Sequence, residues 1–342
     1  MSHKKLIPYN KSLRNLCQGV IQGEDSFLKT FNILSIDGGG ILGLYSASML
    51  DRIQTEFFND KSFADSFQLI TGTSTGGIIA LALATGAKAS EVVEFYKKYG
   101  TKIFPKTKRK GLVREKYKNT ELKHALEAFF GIKTITDCKT KVCIPAIDVC
   151  NSQPLVFKTN NNGSQTRDLN YKLVDIAMAT SAAPTFFPIY KFNEYLGLMD
   201  GGLWQNNPSL FGVIEANNCF VGEDKPYDSI NVLSIGNPLS SLSTSINYKS
   251  GHSGAAKLNI SLVTMPMKIS SIGTHQILSF LNQSHALNIQ KYLRIESNNI
   301  SSECQKLSMD KADDEAFHLI LSICQNDFNL NKSKLHAFFK EA

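Results

Sequence analysis

Residues 67–84 read FQLITGTSTGGIIALALA, and this stretch decides the fold. A short apolar run, 67–70, leads into Gly72-Thr73-Ser74-Thr75-Gly76, and a run of small and aliphatic residues, 77–84, follows. This order predicts a strand, a tight turn and a helix, the setting in which a G-x-S-x-G serine becomes a nucleophile. A sharp turn crowds the backbone around Ser74, so side chains at Gly72 and Gly76 would collide with neighbouring chain. Ser74 is therefore the first candidate catalytic residue.

A glycine-rich loop is the second feature. The apolar run 31–36 predicts a buried strand, and it leads into Asp37-Gly38-Gly39-Gly40-Ile41-Leu42-Gly43 before a helical pattern. Exposed backbone N–H groups at a helix N-terminus can bind an anion, either a substrate phosphate or the oxyanion of a tetrahedral intermediate. Two alternatives stay open, a purely structural glycine turn and a dinucleotide site. Asp37 argues against the dinucleotide site, because its carboxylate would lie close to a pyrophosphate.

A third feature is an aspartate at the end of an apolar strand. Residues 196–202 read LGLMDGG, so Asp200 is followed by Gly201 and Gly202. The two glycines allow another loop to approach the carboxylate closely. Alone, Asp-Gly-Gly is an ordinary turn. Together with the other two motifs, it makes Asp200 the leading candidate for the base that activates Ser74.

These three motifs, in this order, resemble those of the patatin-like phospholipase family. The family pattern is D-G-G-G-x-R/K-G, then G-x-S-x-G, then D-G-A/G, and residues 37–43, 72–76 and 200–202 match it in turn. The segment 181–188, SAAPTFFP, also resembles the family's segment before its aspartate strand. The likeness covers about residues 30–240. One departure is Leu42, where the family usually carries Arg or Lys, which puts a phosphate contact or the rigidity of the loop in question.

The resemblance implies an α/β fold of three layers, with a mainly parallel central sheet covered by helices and a helical C-terminal extension. It implies a Ser74–Asp200 dyad that hydrolyses fatty-acyl esters of membrane phospholipids through an acyl-enzyme, with the oxyanion held by the N–H groups of Gly38, Gly39 and Gly40. The remaining motif positions are Asp37, Gly43, Gly72, Thr73, Thr75, Gly76, Gly201 and Gly202. No cofactor is expected.

A conventional Ser-His-Asp triad is the alternative mechanism, and it would need a well-placed histidine. None of the seven histidines lies in a short Gly/Pro-flanked loop just after a predicted strand. His275 and His285 fall in a stretch with helical spacing, where a structural role is expected. No His, Cys, Asp and Glu cluster has metal-ligand spacing, so a metal-free reaction is predicted.

The 342 residues are sufficient for a large core. We predict an N-terminal lead-in over 1–30, a catalytic domain over 31–238 whose last strand is 230–235, and a loop or lid with a helical extension over 239–342. The seven cysteines are scattered and favour free thiols in a reducing cytosol. Neither a secretory signal nor an apolar span is evident. The expected location is cytoplasmic, with peripheral association to a membrane.

Positive charge is concentrated between Lys97 and Lys123. This range holds eleven Lys/Arg and two Asp/Glu, whereas the whole chain has a net charge of +7. The cluster could be a solvated loop, a patch for anionic lipid headgroups, or a nucleotide-ligand site. No nucleic-acid-binding module accompanies it, so no specific nucleic acid is expected. The candidate binding residues are Lys106, Lys108, Arg109, Lys110 and Arg114.

The layout also resembles, more loosely, bacterial patatin-like phospholipases that act in anti-phage defence and are switched on by a cyclic oligonucleotide. This likeness implies a cyclic oligonucleotide activator, and the chain is compatible with a homo-oligomer. We hypothesise that 239–342 and the basic cluster gate the active site. Two function classes remain from the sequence: a lipid acyl hydrolase, and a catalytically silent patatin-fold protein that binds lipid or nucleotide.

Overall fold

A central β-sheet organises the chain. The computed structural model describes residues 29–106, 115–238, 261–297 and 306–340. Within these ranges the sheet has eight strands. They are β1 (Thr30–Ile36), β2 (Leu69–Gly72), β3 (Lys141–Asp148), β4 (Gln153–Lys158), β5 (Tyr190–Phe192), β6 (Tyr195–Asp200), β7 (Ser229–Ile235) and β8 (Ile289–Ile295).

The strand order is β5-β6-β3-β2-β1-β7-β8, with β4 also paired to β3. Four pairings, β3–β2, β2–β1, β1–β7 and β7–β8, are parallel. The pairings of β4, β5 and β6 are antiparallel. The carboxyl ends of β1 and β2 therefore lie side by side, and in open parallel sheets ligands bind beyond these ends.

Helices cover both faces of the sheet. Those of the described residues are α1 (Gly43–Phe57), α2 (Phe63–Ser66), α3 (Thr75–Ala84), α4 (Ala89–Ile103), α5 (Thr120–Phe130), α6 (Leu173–Thr180), α7 (Gly202–Gln205), α8 (Ser209–Cys219), α9 (Ser261–Gln283) and α10 (Asp314–Lys340). None of these helices is both long enough and apolar enough to cross a bilayer.

Two hydrophobic clusters occupy the two faces of the sheet. Successive residues of β1 alternate between them, so Ile33 packs with α8 and α9 while Leu34 packs with α1, α3 and α10. Helix α3 is buried along its whole length, which explains why 77–84 carries only small and aliphatic residues. Both faces of β1 and β7 are covered, as expected for a parallel sheet. The predicted α/β class with three layers is confirmed.

The prediction that 230–235 forms the last strand is wrong. Strand β8 follows it and pairs in parallel with β7, with Ile295 opposite Ile235. Its sequence, IQKYLRI, mixes charged and apolar residues and therefore does not give the continuous apolar pattern of a buried strand. It also lies between two helices, α9 and α10, in a region that reads as helical. The C-terminal part therefore contributes to the central sheet. The five cysteines of the described residues are free.

Candidate active site

Ser74 lies in the turn between β2 and α3, as the sequence predicted. Its backbone has φ 56° and ψ −125°, an unusual conformation for a residue with a side chain. Such strain costs on the order of 1–3 kcal/mol and is found mainly where function requires it. Ser74 is only 5% exposed, and it precedes the N-terminus of α3, whose dipole favours negative charge.

The two glycines of the pentapeptide are required by close backbone contacts. A Cβ atom at Gly72 would lie 2.0 Å from the carbonyl oxygen of Gly76. One at Gly76 would lie 2.3 Å from the carbonyl oxygen of Ile36, at the end of β1. Both distances are far below van der Waals contact, so any larger residue would displace the turn. The turn is thereby pressed against the carboxyl end of β1.

The two threonines of the pentapeptide fix the turn from opposite sides. Thr73 Oγ1 donates to the carbonyl oxygen of Gln205 at 2.6 Å. The hydroxyl of Thr75 is hydrogen-bonded to the hydroxyl of Tyr96 on α4. A Cβ atom at Gly43 would come within 2.4 Å of both hydroxyl oxygens, so this glycine leaves room for the pair. The turn is thus connected to both the segment after Asp200 and the helix layer.

Ser74 and Asp200 are in direct contact. Ser74 Oγ donates to Asp200 Oδ2 at 2.5 Å, and the backbone N–H of Gly202 donates to Asp200 Oδ1 at 2.7 Å. Asp200, at the end of β6, is 1% exposed. Burial raises the pKa of this carboxyl to about 7, against the hydrogen bonds from Ser74 and Gly202, which lower it. A carboxylate with this pKa is matched to proton transfer near neutral pH.

The glycines after Asp200 allow the close packing that buries it. A Cβ atom at Gly201 would lie 2.5 Å from the carbonyl oxygen of Pro145 on β3. One at Gly202 would lie 2.6 Å from Met267 Cε on α9, and 3.0 Å from Asp200 Oδ1. Neither position has room for a side chain. The sheet and α9 therefore close over the carboxylate, which accounts for its raised pKa.

The glycine loop lies directly beside Ser74. A Cβ atom at Gly38 would lie 3.1 Å from Ser74 Cβ. The prediction that the Gly38 N–H helps to hold an oxyanion needs correction, because this group already donates to the carbonyl oxygen of Asn206 at 3.1 Å. Within the described ranges, no acceptor is bonded to the N–H of Gly39 or Gly40. The candidate donors therefore narrow to these two groups.

Two asparagines that the sequence analysis missed hold this loop. The side-chain amides of Asn206 and Asn237 donate to the carbonyl oxygen of Gly38 at 3.3 and 3.0 Å. Each residue follows an element that ends near the loop, Asn206 after α7 and Asn237 after β7. Asn206 lies two residues before Pro208 and Asn237 directly before Pro238, but nothing in the sequence indicated that both side chains bind the same carbonyl group.

Arg294 is a third residue whose role the sequence did not indicate. It lies on β8, and its two terminal nitrogens bind the two oxygens of Asp37 at 2.7 Å each. The side chains are 5% and 3% exposed. Burial alone would lower the pKa of Arg294, but Asp37 and Glu296 outweigh it and the pKa stays raised. Leu42 itself lies in the hydrophobic core, so the cation bound to Asp37 comes from β8 and not from the loop.

Thr180 supports the nucleophile from the end of α6. The backbone N–H of Ser74 donates to Thr180 Oγ1 at 2.9 Å, and this hydroxyl donates to the carbonyl oxygen of Pro145 at 2.6 Å. Because both partners are buried, the strained backbone of Ser74 is held by a specific hydrogen bond. The residue directly precedes the segment 181–188, so the sequence did carry a signal for it.

An apolar pocket opens beside Ser74. Ser74 and Gly40 lie at its wall, and the other lining groups are mainly apolar. They include Ile78 on α3, Phe95 and Ile103 on α4, and Met309. A pocket of this composition suits a fatty-acyl chain, because burying each methylene contributes about 0.8 kcal/mol. The nucleophile, the buried carboxylate, the two N–H groups and this pocket meet at one place.

The remaining candidates are placed elsewhere or not described. Lys106 is exposed after the end of α4, whereas Lys108, Arg109, Lys110 and Arg114 lie outside the described residues. His275 lies on α9, with its Nδ1 3.0 Å from the hydroxyl of Tyr292. No hydrogen bond of the described part of the chain joins a histidine to Ser74 or Asp200. The geometry thus favours the dyad over the triad.

Family comparison agrees with these motifs. A family model described as patatin-like phospholipase matches residues 34–210, which contain both Ser74 and Asp200. The chain therefore belongs to the patatin-like phospholipase family. This confirms the resemblance drawn from the three motifs.

Two bacterial relatives are both described as cGAMP-activated phospholipases. The chain is 31% identical over 335 residues to a cGAMP-activated phospholipase of Vibrio cholerae serotype O1, covering 90% of this chain and 94% of that relative. It is 37% identical over 217 residues to a cGAMP-activated phospholipase of Escherichia coli, covering 60% and 61%. The chain thus spans less than two thirds of the length of the second relative.

Among solved structures, VipD from Legionella pneumophila has a TM-score of 0.38 at 10% identity, covering 87% of this chain and 67% of VipD.

Proposed function

We propose that this protein is a lipid acyl hydrolase of the phospholipase A type, which cleaves fatty-acyl esters of membrane phospholipids with Ser74 and Asp200. The observation that carries the proposal is the 2.5 Å hydrogen bond from Ser74 Oγ to the buried Asp200, beside an apolar pocket. A nucleophile, a base with a pKa of about 7 and an apolar chain site are what ester hydrolysis of a lipid requires.

Acylation begins when Ser74 Oγ attacks the ester carbonyl carbon and Asp200 takes the hydroxyl proton. The carbonyl oxygen becomes an oxyanion, for which the N–H groups of Gly39 and Gly40 are the donors. One such donor is typically worth about 2.7–4 kcal/mol in the transition state. When the intermediate collapses, the bond to the alcohol breaks and Asp200 returns the proton to this leaving group. The acyl chain remains on Ser74 as an ester.

Deacylation repeats the sequence with water. Asp200 accepts a proton from a water molecule, which attacks the acyl carbonyl carbon. The second intermediate collapses, the free fatty acid leaves, and the proton returns to Ser74 Oγ. Asp200 thus acts first as a base and then as an acid in each half of the reaction. No residue outside the described site is needed for these steps.

We also propose that the activity is switched on by a cyclic dinucleotide. Two relatives are described as cGAMP-activated, and one of them aligns with 90% of this chain. This proposal extends to the chain's partners: phospholipid at a bilayer surface as the substrate, and cGAMP or a similar molecule as the activator. Peripheral association with the membrane follows from the substrate.

A vesicle assay tests the hydrolase proposal. Wild type and Ser74→Ala are incubated with phospholipid vesicles, with and without cGAMP, and free fatty acid is measured. We expect release by wild type, stronger with cGAMP, and none above background by Ser74→Ala. Equal release by both proteins under every condition would leave only the catalytically silent lipid- or nucleotide-binding protein. A parallel sample with a chelator tests whether the reaction proceeds without a metal ion.

A further inference from the structure

A second cavity, polar in character, lies between α9, β8 and α10. Its volume is about 380 Å³, within the range of small-molecule sites. Three side-chain amides line it, from Asn282 and Gln283 on α9 and Asn331 on α10. Tyr292 adds an aromatic ring and Lys334 a positive charge. None of these residues belongs to the catalytic site.

Two of these side chains, Asn282 and Lys334, have polar atoms that can bind a ligand. The amide oxygen of Asn282 is buried and has no hydrogen-bond partner among the described residues. No carboxylate of the described part of the chain pairs with Lys334, whereas Lys332, two residues earlier, pairs with Glu56. Burial, together with Arg294, lowers the pKa of His275, which leaves its imidazole neutral near pH 7. A buried acceptor without a donor is costly, so a ligand that donates to it would gain binding energy.

The cavity is connected to the catalytic loop through Arg294, which lines it. Arg294 binds both oxygens of Asp37, and Asp37 directly precedes the glycine loop beside Ser74. Its Nη2 also donates to Glu296 Oε2 at 2.8 Å, a second cavity residue. The cation is therefore shared between a carboxylate of the loop and a carboxylate of the cavity.

Helix α9 forms a second connection. Ser271 Oγ donates to Asp37 Oδ2 at 2.5 Å. Its neighbour Ser270 accepts from the backbone N–H of Asn206 at 3.2 Å and donates to the carbonyl oxygen of Trp204 at 3.0 Å. The same helix, about two to three turns later, supplies Ser279 and Asn282 to the cavity wall. A ligand that fixes α9 thereby fixes both the glycine loop and the segment after Asp200.

We propose that this cavity binds a purine nucleotide with a phosphodiester group, of the cyclic dinucleotide class, and that its occupancy sets the position of the glycine loop. Amides that offer both donors and acceptors suit the edges of purine bases, and Glu296 can accept from base N–H groups. Lys334 supplies the cation for a phosphate, and Tyr292 a surface for stacking. The inference rests on the proposed function, since it assigns a place to the activator.

Occupancy acts on Asp37 through Glu296. A purine base of the ligand that donates to Glu296 competes with Arg294 for this carboxylate. The guanidinium then keeps its contacts with Asp37 and Ser271. The loop is then held in one position, with the N–H groups of Gly39 and Gly40 aimed at the substrate oxygen. Since several of the ligand's contacts would be made with α9 and β8, binding energy is available for this ordering.

Calorimetric titration of cGAMP into the full-length chain carrying Ser74→Ala tests the site without hydrolysis. In this background, we expect Lys334→Gln to weaken binding about tenfold or more, because a charge-assisted contact is lost. Ser279→Trp fills the cavity and is expected to abolish binding. Two controls lie on the same helices outside the cavity: Lys340→Gln on α10 and Gln276→Trp on α9, both exposed. Both controls should bind cGAMP as the parent does, and melting curves check the fold of each variant.

The outcomes separate this inference from the proposed function. If the two cavity variants lose affinity and the two controls do not, the site is supported, even if wild type releases no fatty acid and the hydrolase proposal fails. If the parent does not bind cGAMP, or if Lys334→Gln and Ser279→Trp bind it with unchanged affinity, the inference is overturned. The second result is informative even if wild type hydrolyses lipid.

Discussion

The glycine loop has an apolar pocket on one side and a polar cavity on the other. Gly40 and Ile41 line the pocket beside Ser74, while Asp37, three residues earlier, binds the Arg294 that lines the cavity. The pocket can hold a hydrocarbon chain by burial alone, without directional contacts. The cavity contains hydrogen-bonding and charged groups, which select a ligand by geometry. One short loop therefore connects a site of low selectivity to a site of high selectivity.

The variant with the largest expected effect on activity removes the catalytic base on the pocket side of the loop. Asp200→Asn keeps the shape of the side chain but cannot take the Ser74 proton, so we expect acyl hydrolysis to fall by about 10⁴-fold, the upper end of what a general base typically contributes. The same variant should be more stable. The pKa of Asp200 is about 7 in the folded protein and 3.8 in the unfolded chain, so its ionisation costs stability as the pH rises through this window.

Thermal melts check the stability part of this prediction. The gain in melting temperature of Asp200→Asn over wild type should be large at pH 8, where the wild-type carboxylate is charged, and small at pH 4. A gain that does not depend on pH would mean that burial does not raise the pKa of Asp200.

The second test breaks the link on the cavity side. Arg294→Met leaves the buried Asp37 without its cation, and we expect a loss of about 3–5 kcal/mol in the free energy of unfolding. Asp37→Asn in the same chain removes the charge that was left behind, so the double variant should recover much of the loss. Urea unfolding of the single and double variants measures this coupling. Additive losses would contradict a direct interaction between the two side chains.

The third test uses pH on the intact protein. Because Asp200 must be ionised to accept the Ser74 proton, the rate of hydrolysis should fall as the pH drops below about 7, tenfold for each further unit. Initial rates between pH 5 and 9 on a neutral-headgroup lipid give the profile. A rate that stays level down to pH 5 would mean that the base has an ordinary carboxylate pKa.

The fourth and smallest test changes the size of the pocket. Ile103→Val removes one methylene from the wall, so we expect the preference for long over short acyl chains to rise about two- to fourfold in kcat/KM. Ile132→Val is the matched control, since Ile132 is 87% exposed and lies outside the pocket. The comparison uses synthetic esters of increasing chain length. An equal change in both variants would place the acyl chain elsewhere.

Local sequence patterns predicted most of the features on the pocket side of the glycine loop. The turn at Ser74, the strand end at Asp200 and the three-layer fold follow from glycine spacing and from apolar runs, because each of these features depends on neighbouring residues. Ser74 and Asp200 are 126 positions apart, and the sequence connected them only through the combination of the three motifs and the family resemblance.

The cavity side could not be predicted in the same way. Strand β8 carries Gln290, Lys291 and Arg294 among its apolar residues, and it joins the sheet because β7 offers a free edge, which is a tertiary property. The Gly38 N–H binds the carbonyl oxygen of Asn206, and Asp37 binds Arg294. Both partners come from distant segments of the chain. No periodicity encodes such contacts, so the wrong last strand and the wrong Gly38 donor have the same origin.

The Asp37–Arg294 pair also has a consequence for the timing of synthesis. The two residues are 257 positions apart, and a nascent chain emerges from its N-terminus at about 5–20 residues per second. Ser74 and Asp200 therefore leave the ribosome well before the cation that holds the neighbouring loop. Until β8 arrives, β7 has an open edge and Asp37 has no counter-ion. Translation thus delays the assembly of this centre until β8 has been synthesised.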